Sequence, residues 1–454
     1  MCGGSAATRL LAQEARALTA RLDRLRPFSL LMPMVTAAAI SPPAQTAIEE
    51  HMIRARRRLR ALVYAFVAWL RSPEGQSAGP AEAQRRFTLV RMAFNALLSQ
   101  FDIFADVLSQ RSEHETGVWV AGLDDVAADA LELPGGFYKR PPVICYLDRG
   151  QGAAIRRART RLPGGDESPV AIIRVPRERM VGSGVASSLV HEVGHQADAL
   201  LGLVRSLRPL LRGMARNAGS QRVAWQLWDR WISEIVADFW SVARVGIAST
   251  QGLIAVVSLP RPFVFRIDFD DPHPAPWIRV RLSSAIGNAL FPHPQWQRLS
   301  ALWESFYPRE GLSPGKQALL DQLQSTMPGF VALLLNHRPR ALRGHSLMEV
   351  MDLAERQPRQ LVARFEQWRS SPGLMTQAPP TLALAVLGQA KVNGLISPEH
   401  ESDTLASLLT HWAWKSVRGI SAACAAQPRL RSRDRRLETV RDLTVTLRQG
   451  APVQ

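Results

Sequence analysis

The chain of 454 residues is 46% hydrophobic and 21% charged, which excludes a disordered or collagen-like polymer and calls for more than one packed unit. Its net charge of +17 comes almost wholly from arginine spread along the whole length; Lys139, Lys316, Lys391 and Lys415 are the lysines. Such a spread marks a GC-rich coding sequence rather than a nucleic-acid interface, where charge gathers on one face, so no obvious nucleic-acid partner is expected.

Taken from the N-terminus, Leu10, Leu11, Ala15, Leu18, Leu22 and Leu25 recur at helical spacing and predict a helix over 5–26. A soft connector over 32–43 leads into a basic amphipathic helix over 44–70, which carries Arg54, Arg56, Arg57, Arg58 and Arg60. Pro73, Gly75 and Gly79 predict a loop over 72–80. Helices over 81–108 and 118–131 follow, joined by a polar loop over 111–117 that holds Glu113, His114 and Glu115.

The composition changes after Pro134-Gly135-Gly136. Residues 141–148 (PPVICYLD) and 169–175 (PVAIIRV) read as strands, with the turn Pro163-Gly164-Gly165-Asp166 between them. A helix is predicted to start after Gly182-Ser183-Gly184 and run to about Arg205, with Ser183 as its N-cap, and a second over 224–245. Trp225, Trp228 and Trp231 recur on the second helix as core residues. Residues 260–276 are proline-dense and irregular, and Pro276 opens another helix reaching 290. From 294 onward the chain reads as short helical units punctuated by proline.

The fold class expected is α+β and predominantly α-helical. Residues 1–133 form an N-terminal α-helical lobe, 134–290 a mixed core with a small β-sheet, and 291–454 a C-terminal α-helical lobe. Cys2, Cys145 and Cys424 are too scattered for a disulfide framework and fit a reducing compartment. The best apolar run, 61–70, is about half the ~20 residues a membrane helix needs. The N-terminus lacks the apolar core of a secretory signal. The expectation is therefore a soluble, cytoplasmic protein with no membrane span.

Chemistry concentrates in the centre. His191-Glu192-Val193-Gly194-His195 is an H-E-x-x-H motif on a predicted helix. Residues four apart share a helix face, so both imidazoles can grip one ion. Glu192 lies about 100° round the helix, where it reaches an activated water without ligating the metal. Neutral imidazole nitrogens suit Zn²⁺, which wants four ligands and, when catalytic, keeps one position for water.

The second helix reads SEIVADFWS, with Glu234 and Asp238 four apart. Glu234 can supply the third ligand, and Asp238 can accept the second ring N–H of His191, fixing its tautomer. Asp198 competes as a ligand, although a single helix does not readily wrap three ligands round one ion. The remaining candidates are weaker: His114 with its flanking acids reads as loop, Tyr307 could donate a phenol at the site but more often has another role, and Arg429, Arg431, Arg433, Arg435 and Arg436 read as a solvated basic segment.

HEVGH followed by SEIVAD resembles the gluzincin metallopeptidases, whose second helix supplies a glutamate in an E-x-x-x-D pattern. The Glu-x-x-Ala-Asp form is most similar to the CAAX prenyl protease and heat-shock membrane peptidase branch. That branch also carries a later His-Pro with an arginine six positions on, and His273-Pro274 with Arg279 fits the spacing. The resemblance covers roughly 169–290. It implies a zincin-like core, a peptide or protein substrate, oxyanion stabilisation by His273, and an Arg279 that braces Glu234 or Asp238 or assists at the oxyanion. The membrane helices of that branch are missing, and the two α-helical lobes lie outside it.

The function expected is zinc-dependent endopeptidase activity, with His191, His195 and Glu234 holding Zn²⁺, Glu192 as general base, and His273, Arg279 and Asp238 in support. Residues 169–175 would align an extended peptide as an added strand. Two other classes stand beside it: a zinc-stabilised, non-catalytic protein whose helical lobes bind a protein partner, and a basic binder of nucleic acid or an anionic surface.

Overall fold

A computed structural model describes residues 6–150, 152–180 and 182–426. Helices dominate it, together with a single three-stranded sheet among the described residues. The basic segment over 429–436 lies outside the described residues.

Three helices form an N-terminal layer: α1 (Ala6–Arg24), α2 (Pro42–Arg71) and α3 (Pro80–Ser109). Their apolar stripes meet at helical spacing: Leu11, Ala15, Leu18 and Leu22 on α1 face Ile48, Met52, Leu59 and Val63 on α2. Arg54, Arg57 and Arg58 stay on the exposed face of α2. Ser41 caps α2 by accepting from Ala44 N at 3.4 Å, and Pro42 sits in the first turn, where its missing N–H costs nothing. The stretch expected as a loop over 72–80 contains the short helix Pro73–Ser77, because the Ser72 side chain accepts from Gly75 N at 3.2 Å and starts a turn.

The next helix, α4 (His114–Ala130), begins earlier than its apolar pattern suggested. The polar stretch expected as loop is instead a 3-10 turn, Gln110–Ser112, followed by the first turn of α4. The reason is Arg111, which is fully buried and donates to Asp124 through two nitrogens at 2.9 and 3.1 Å. Gly117 lets this turn approach the connector: a Cβ there would lie 2.9 Å from that of Ala38.

The sheet comprises β1 (Val143–Asp148), β2 (Ala154–Arg156) and β3 (Ala171–Pro176), in the order β1-β3-β2. β1 runs parallel to β3, and β2 antiparallel to it. Side chains alternate between two cores as the pleat requires. Cys145, Leu147, Ile173 and Val175 enter the larger, central core, whereas Ile144 and Ile172 enter the N-terminal one. The expected role of 169–175 as the peptide-pairing edge is corrected here, since β3 is the middle strand and β2 takes its free side.

Five helices build the central body: α5 (Gly182–Leu201), α6 (Leu203–Asn217), α7 (Arg222–Val245), α8 (Ile247–Val257) and α9 (Pro276–Leu290). Ser183 lies inside the first turn of α5 rather than at its cap, and its hydroxyl accepts from Lys391. Gly202, in the left-handed region at φ 65°, ends α5 short of the expected residue 205. Trp225, Trp228 and Trp231 are core, as their spacing predicted. The Trp228 indole donates to Thr326 at 2.9 Å and that of Trp240 to Ala130 O at 2.9 Å.

The later helices, α10 (Gln295–Phe306), α11 (Pro314–Leu335), α12 (Pro358–Ser370), α13 (Pro380–Val392) and α14 (Pro398–Ala426), share the central core. α13 packs on α5, α7 and α8, and α14 packs on α4. No described helix is long and apolar enough to cross a membrane.

Candidate metal centre

The site lies where α5 crosses α7. Gly194, the small residue inside HEVGH, makes the crossing close: a Cβ there would sit 2.7 Å from the Cα of Ala237 and 3.0 Å from the Cβ of Trp240. Ser241 ties the pair one turn further along, donating to Ala186 O at 3.2 Å. The two helices therefore meet at backbone-to-backbone range, and the side chains flanking the crossing converge.

His191, His195 and Glu234 offer ligand atoms that all lie within 4.8 Å of one another. His191 Nε2 is 3.2 Å from Glu234 Oε2, and His195 Nε2 is 3.4 Å from Glu234 Oε1. Four ligands at ~2.1 Å round a tetrahedral ion are about 3.4 Å apart, and each imidazole stands at about that distance from one of the two oxygens of Glu234. Two imidazoles and a carboxylate are also a donor set that such an ion accepts. The group is buried to intermediate and can hold a metal ion.

Asp238, one turn beyond Glu234, aligns His191: Oδ1 lies 2.8 Å from Nδ1, which turns Nε2 toward Glu234. Asp238 is itself gripped by Arg279, whose Nε and Nη2 donate to its two oxygens at 2.7 and 2.8 Å. Arg279 Nη2 is 3.7 Å from Glu234 Oε2. The arginine reaches this point from the first turn of α9, which Pro276 starts. The bond to the arginine goes to Asp238, and Glu234 stays turned toward the imidazoles.

The charges follow from these contacts. Burial opposes ionisation of Glu234, but the hydrogen bond and charge of His191 outweigh it and hold the carboxyl down at about 2. Asp238 is likewise opposed by burial and driven lower still by Arg279 and His191. Burial alone would lower His191, yet its bonds to Asp238 and Glu234 raise it to about 9. His195, buried beside that ring, falls to about 4 and stays neutral at pH 7. A cation that takes the place between the rings must therefore displace a proton from His191.

Glu192 lies in the same cleft as His191 and Glu234 and is 7% exposed. Burial pushes its carboxyl above the usual range, with Glu234 adding to the effect against His191. His273 stands at the mouth, Nε2 being 3.3 Å from Glu234 Oε2. Asp271 is not among the residues that the sequence singles out. Its Oδ1 accepts from the backbone N–H of His273 at 2.9 Å and lies 2.8 Å from the same residue's Nδ1. The Asp-Pro-His-Pro stretch was the available signal, since an aspartate two residues before a proline-flanked histidine readily forms such a turn.

The other candidates lie elsewhere. Asp198 accepts from Val204 N at 2.8 Å and starts α6, so its carboxylate serves the helix junction. Tyr307 donates to Leu259 O at 2.9 Å and does not line the cleft. His114 lines a separate groove beside Trp119 and Trp414. The cleft at the site encloses about 150 Å³. Gly152 and Ala153, which lead into β2, form part of its wall, and Leu253 and Val256 of α8 another. Ala158 N donates to Gln196 on α5 at 2.8 Å, which holds the β2 arm against the helix that carries the histidines. No family model, curated protein or solved structure matches this chain.

Proposed function

We propose that the chain is a zinc-dependent endopeptidase with a zincin-like core, in which His191, His195 and Glu234 hold the metal and Glu192 is the general base. The supporting observation is the convergence of ligand atoms of His191, His195 and Glu234 within 4.8 Å, with His191 and Glu234 lining a cleft that Glu192 shares. Zn²⁺ held by these three residues would supply a Lewis acid for the scissile carbonyl and a water of pKa lowered toward ~7. Glu192 takes the proton from the attacking water and returns it to the leaving amine. A carboxylate raised by burial is suited to both halves of that transfer.

Asp238 keeps the His191 ring oriented, and Arg279 keeps Asp238 ionised and in place. His273, held by Asp271, brings Nε2 to the mouth of the cleft beside Glu234, from where it would donate to the carbonyl oxygen as charge develops there. The substrate peptide adds to the free side of β2, the strand whose lead-in lines the cleft.

The test is metal analysis of the purified protein together with cleavage of a denatured protein. One zinc per chain and chelator-sensitive cleavage are expected, and His191→Ala should lose both. Stoichiometric zinc with no cleavage of any denatured protein would overturn the reading in favour of a metal-stabilised interaction protein.

A further inference from the structure

Among the groups that wall the cleft, Arg179 has no part in the chemistry above. It closes the 3-10 turn Arg177–Arg179 that connects β3 to α5, and so stands between the sheet and the helix bearing the histidines. Its side chain is only 16% exposed. Its one ion pair among the described residues is with the adjacent Glu178, at 3.6 Å from Nε, and Glu178 is itself 52% exposed. That distance is beyond a hydrogen bond, and a flexible exposed neighbour contributes little. None of the arginine's nitrogens is among the buried polar atoms left without a partner, and the residue lines the cleft.

The charge of the lining points the same way. Glu192, Glu234 and Asp238 supply three carboxylates against the guanidinium groups of Arg179 and Arg279. Arg279 is committed to Asp238 through two hydrogen bonds. With a divalent ion seated, the cleft carries one positive charge in excess, and Arg179 is the group free to bear it. A planar guanidinium in a partly desolvated wall selects a carboxylate, which it can grip through two parallel N–H donors.

We propose that Arg179 is a substrate-specificity residue that binds a peptide carboxylate, from an acidic side chain or from a free C-terminus, beside the metal centre. The assignment rests on the peptidase reading, because it places a peptide in this cleft. It goes beyond that reading in naming an acidic substrate class.

The test is a binding measurement on the zinc-loaded Glu192→Gln protein, which should hold peptides without cleaving them. Fluorescein-labelled, alanine-based, amidated heptapeptides carry a single Glu at each position in turn, with Gln isosteres as controls. A further control has Gln and a free C-terminal carboxylate. Anisotropy should show about tenfold tighter binding of one charged peptide than of its neutral counterpart, as a charge-assisted pair at a shielded site allows. Preference for an internal Glu identifies a side-chain carboxylate, and preference for the free acid identifies the chain end. Adding Arg179→Gln should abolish the preference.

Equal binding of charged and neutral peptides, or a preference that survives Arg179→Gln, overturns the assignment while leaving the peptidase reading intact. Failure to bind any peptide overturns both. The comparison of charged with neutral peptides needs no change at Arg179, so a misfolded Arg179→Gln protein would not shield the proposal.

Discussion

Two arginine–aspartate pairs, one buried and one part-buried but built alike, serve different ends. Arg111 grips Asp124 through two nitrogens, and Arg279 grips Asp238 in the same forked manner. The difference lies in what else each carboxylate holds. Asp124 accepts from the backbone N–H of Cys145 at 2.7 Å, and Arg111 donates onward to Cys145 O at 2.8 Å. That cluster ends on main chain and welds α4 to β1. Asp238 instead holds the ring of His191, whose far nitrogen faces Glu234. The same ion pair thus becomes a girder when its spare valence is spent on backbone, and part of a candidate metal centre when it is spent on a second titratable side chain.

The comparison is broken most severely at the open cluster. Glu192→Gln removes the proposed base without touching a proposed ligand atom, so turnover of a peptide should fall by about 10²–10⁴. Zinc content, measured by inductively coupled plasma analysis, should not change. A fully active Glu192→Gln protein would show that the proton travels by another route. The closed cluster should respond in stability instead. Asp124→Ala leaves the Arg111 charge buried and unpaired, at a cost of about 3–5 kcal/mol. Denaturant unfolding would read this directly, and a loss below about 1 kcal/mol would mean that water reaches Arg111.

The unequal legibility of the two clusters has a physical cause. His191, Glu192 and His195 share one helix, and Glu234 and Asp238 another, so local spacing aligned each set, whereas Arg279 was indicated only by the family resemblance, six positions after His273. Arg111 and Asp124 are also close in sequence, yet the stretch around Arg111 reads as polar loop, because a buried arginine has the same letter as an exposed one. β2 escaped for a related reason: it is short, its ends are exposed, and the sheet rather than its own pattern makes it a strand. Its presence displaces the expected edge strand into the middle of the sheet. Arg179 carries no local signal in a chain so rich in arginine. The helical lobes were legible as helices, but which core each one joins depends on contacts far apart in sequence, as α14 against α4 shows.

A finer probe of the open cluster is Asp238→Asn, which keeps the shape but removes the charge behind His191. Zinc affinity, measured by chelator competition, should drop about 10–100-fold, the usual effect of losing a carboxylate behind a histidine ligand. If Asp238 were a girder like Asp124, the change would lower the melting temperature and leave zinc affinity alone.

The smallest perturbation tests the crossing that creates the centre. Gly194→Ala adds a single methyl where α5 and α7 touch, 2.7 Å from the Cα of Ala237. Backbone cannot swing aside as a side chain does, so the helices must separate by a few tenths of an ångström or more. Overpacking of this kind costs about 1–3 kcal/mol, offset by less than about 1 kcal/mol from the better helix propensity of alanine. The displacement also lengthens the gap between the imidazoles on α5 and Glu234 on α7, so zinc affinity should fall along with stability. Loss of stability with unaltered affinity would show that the ligand side chains, rather than the helix spacing, set the geometry of the cage.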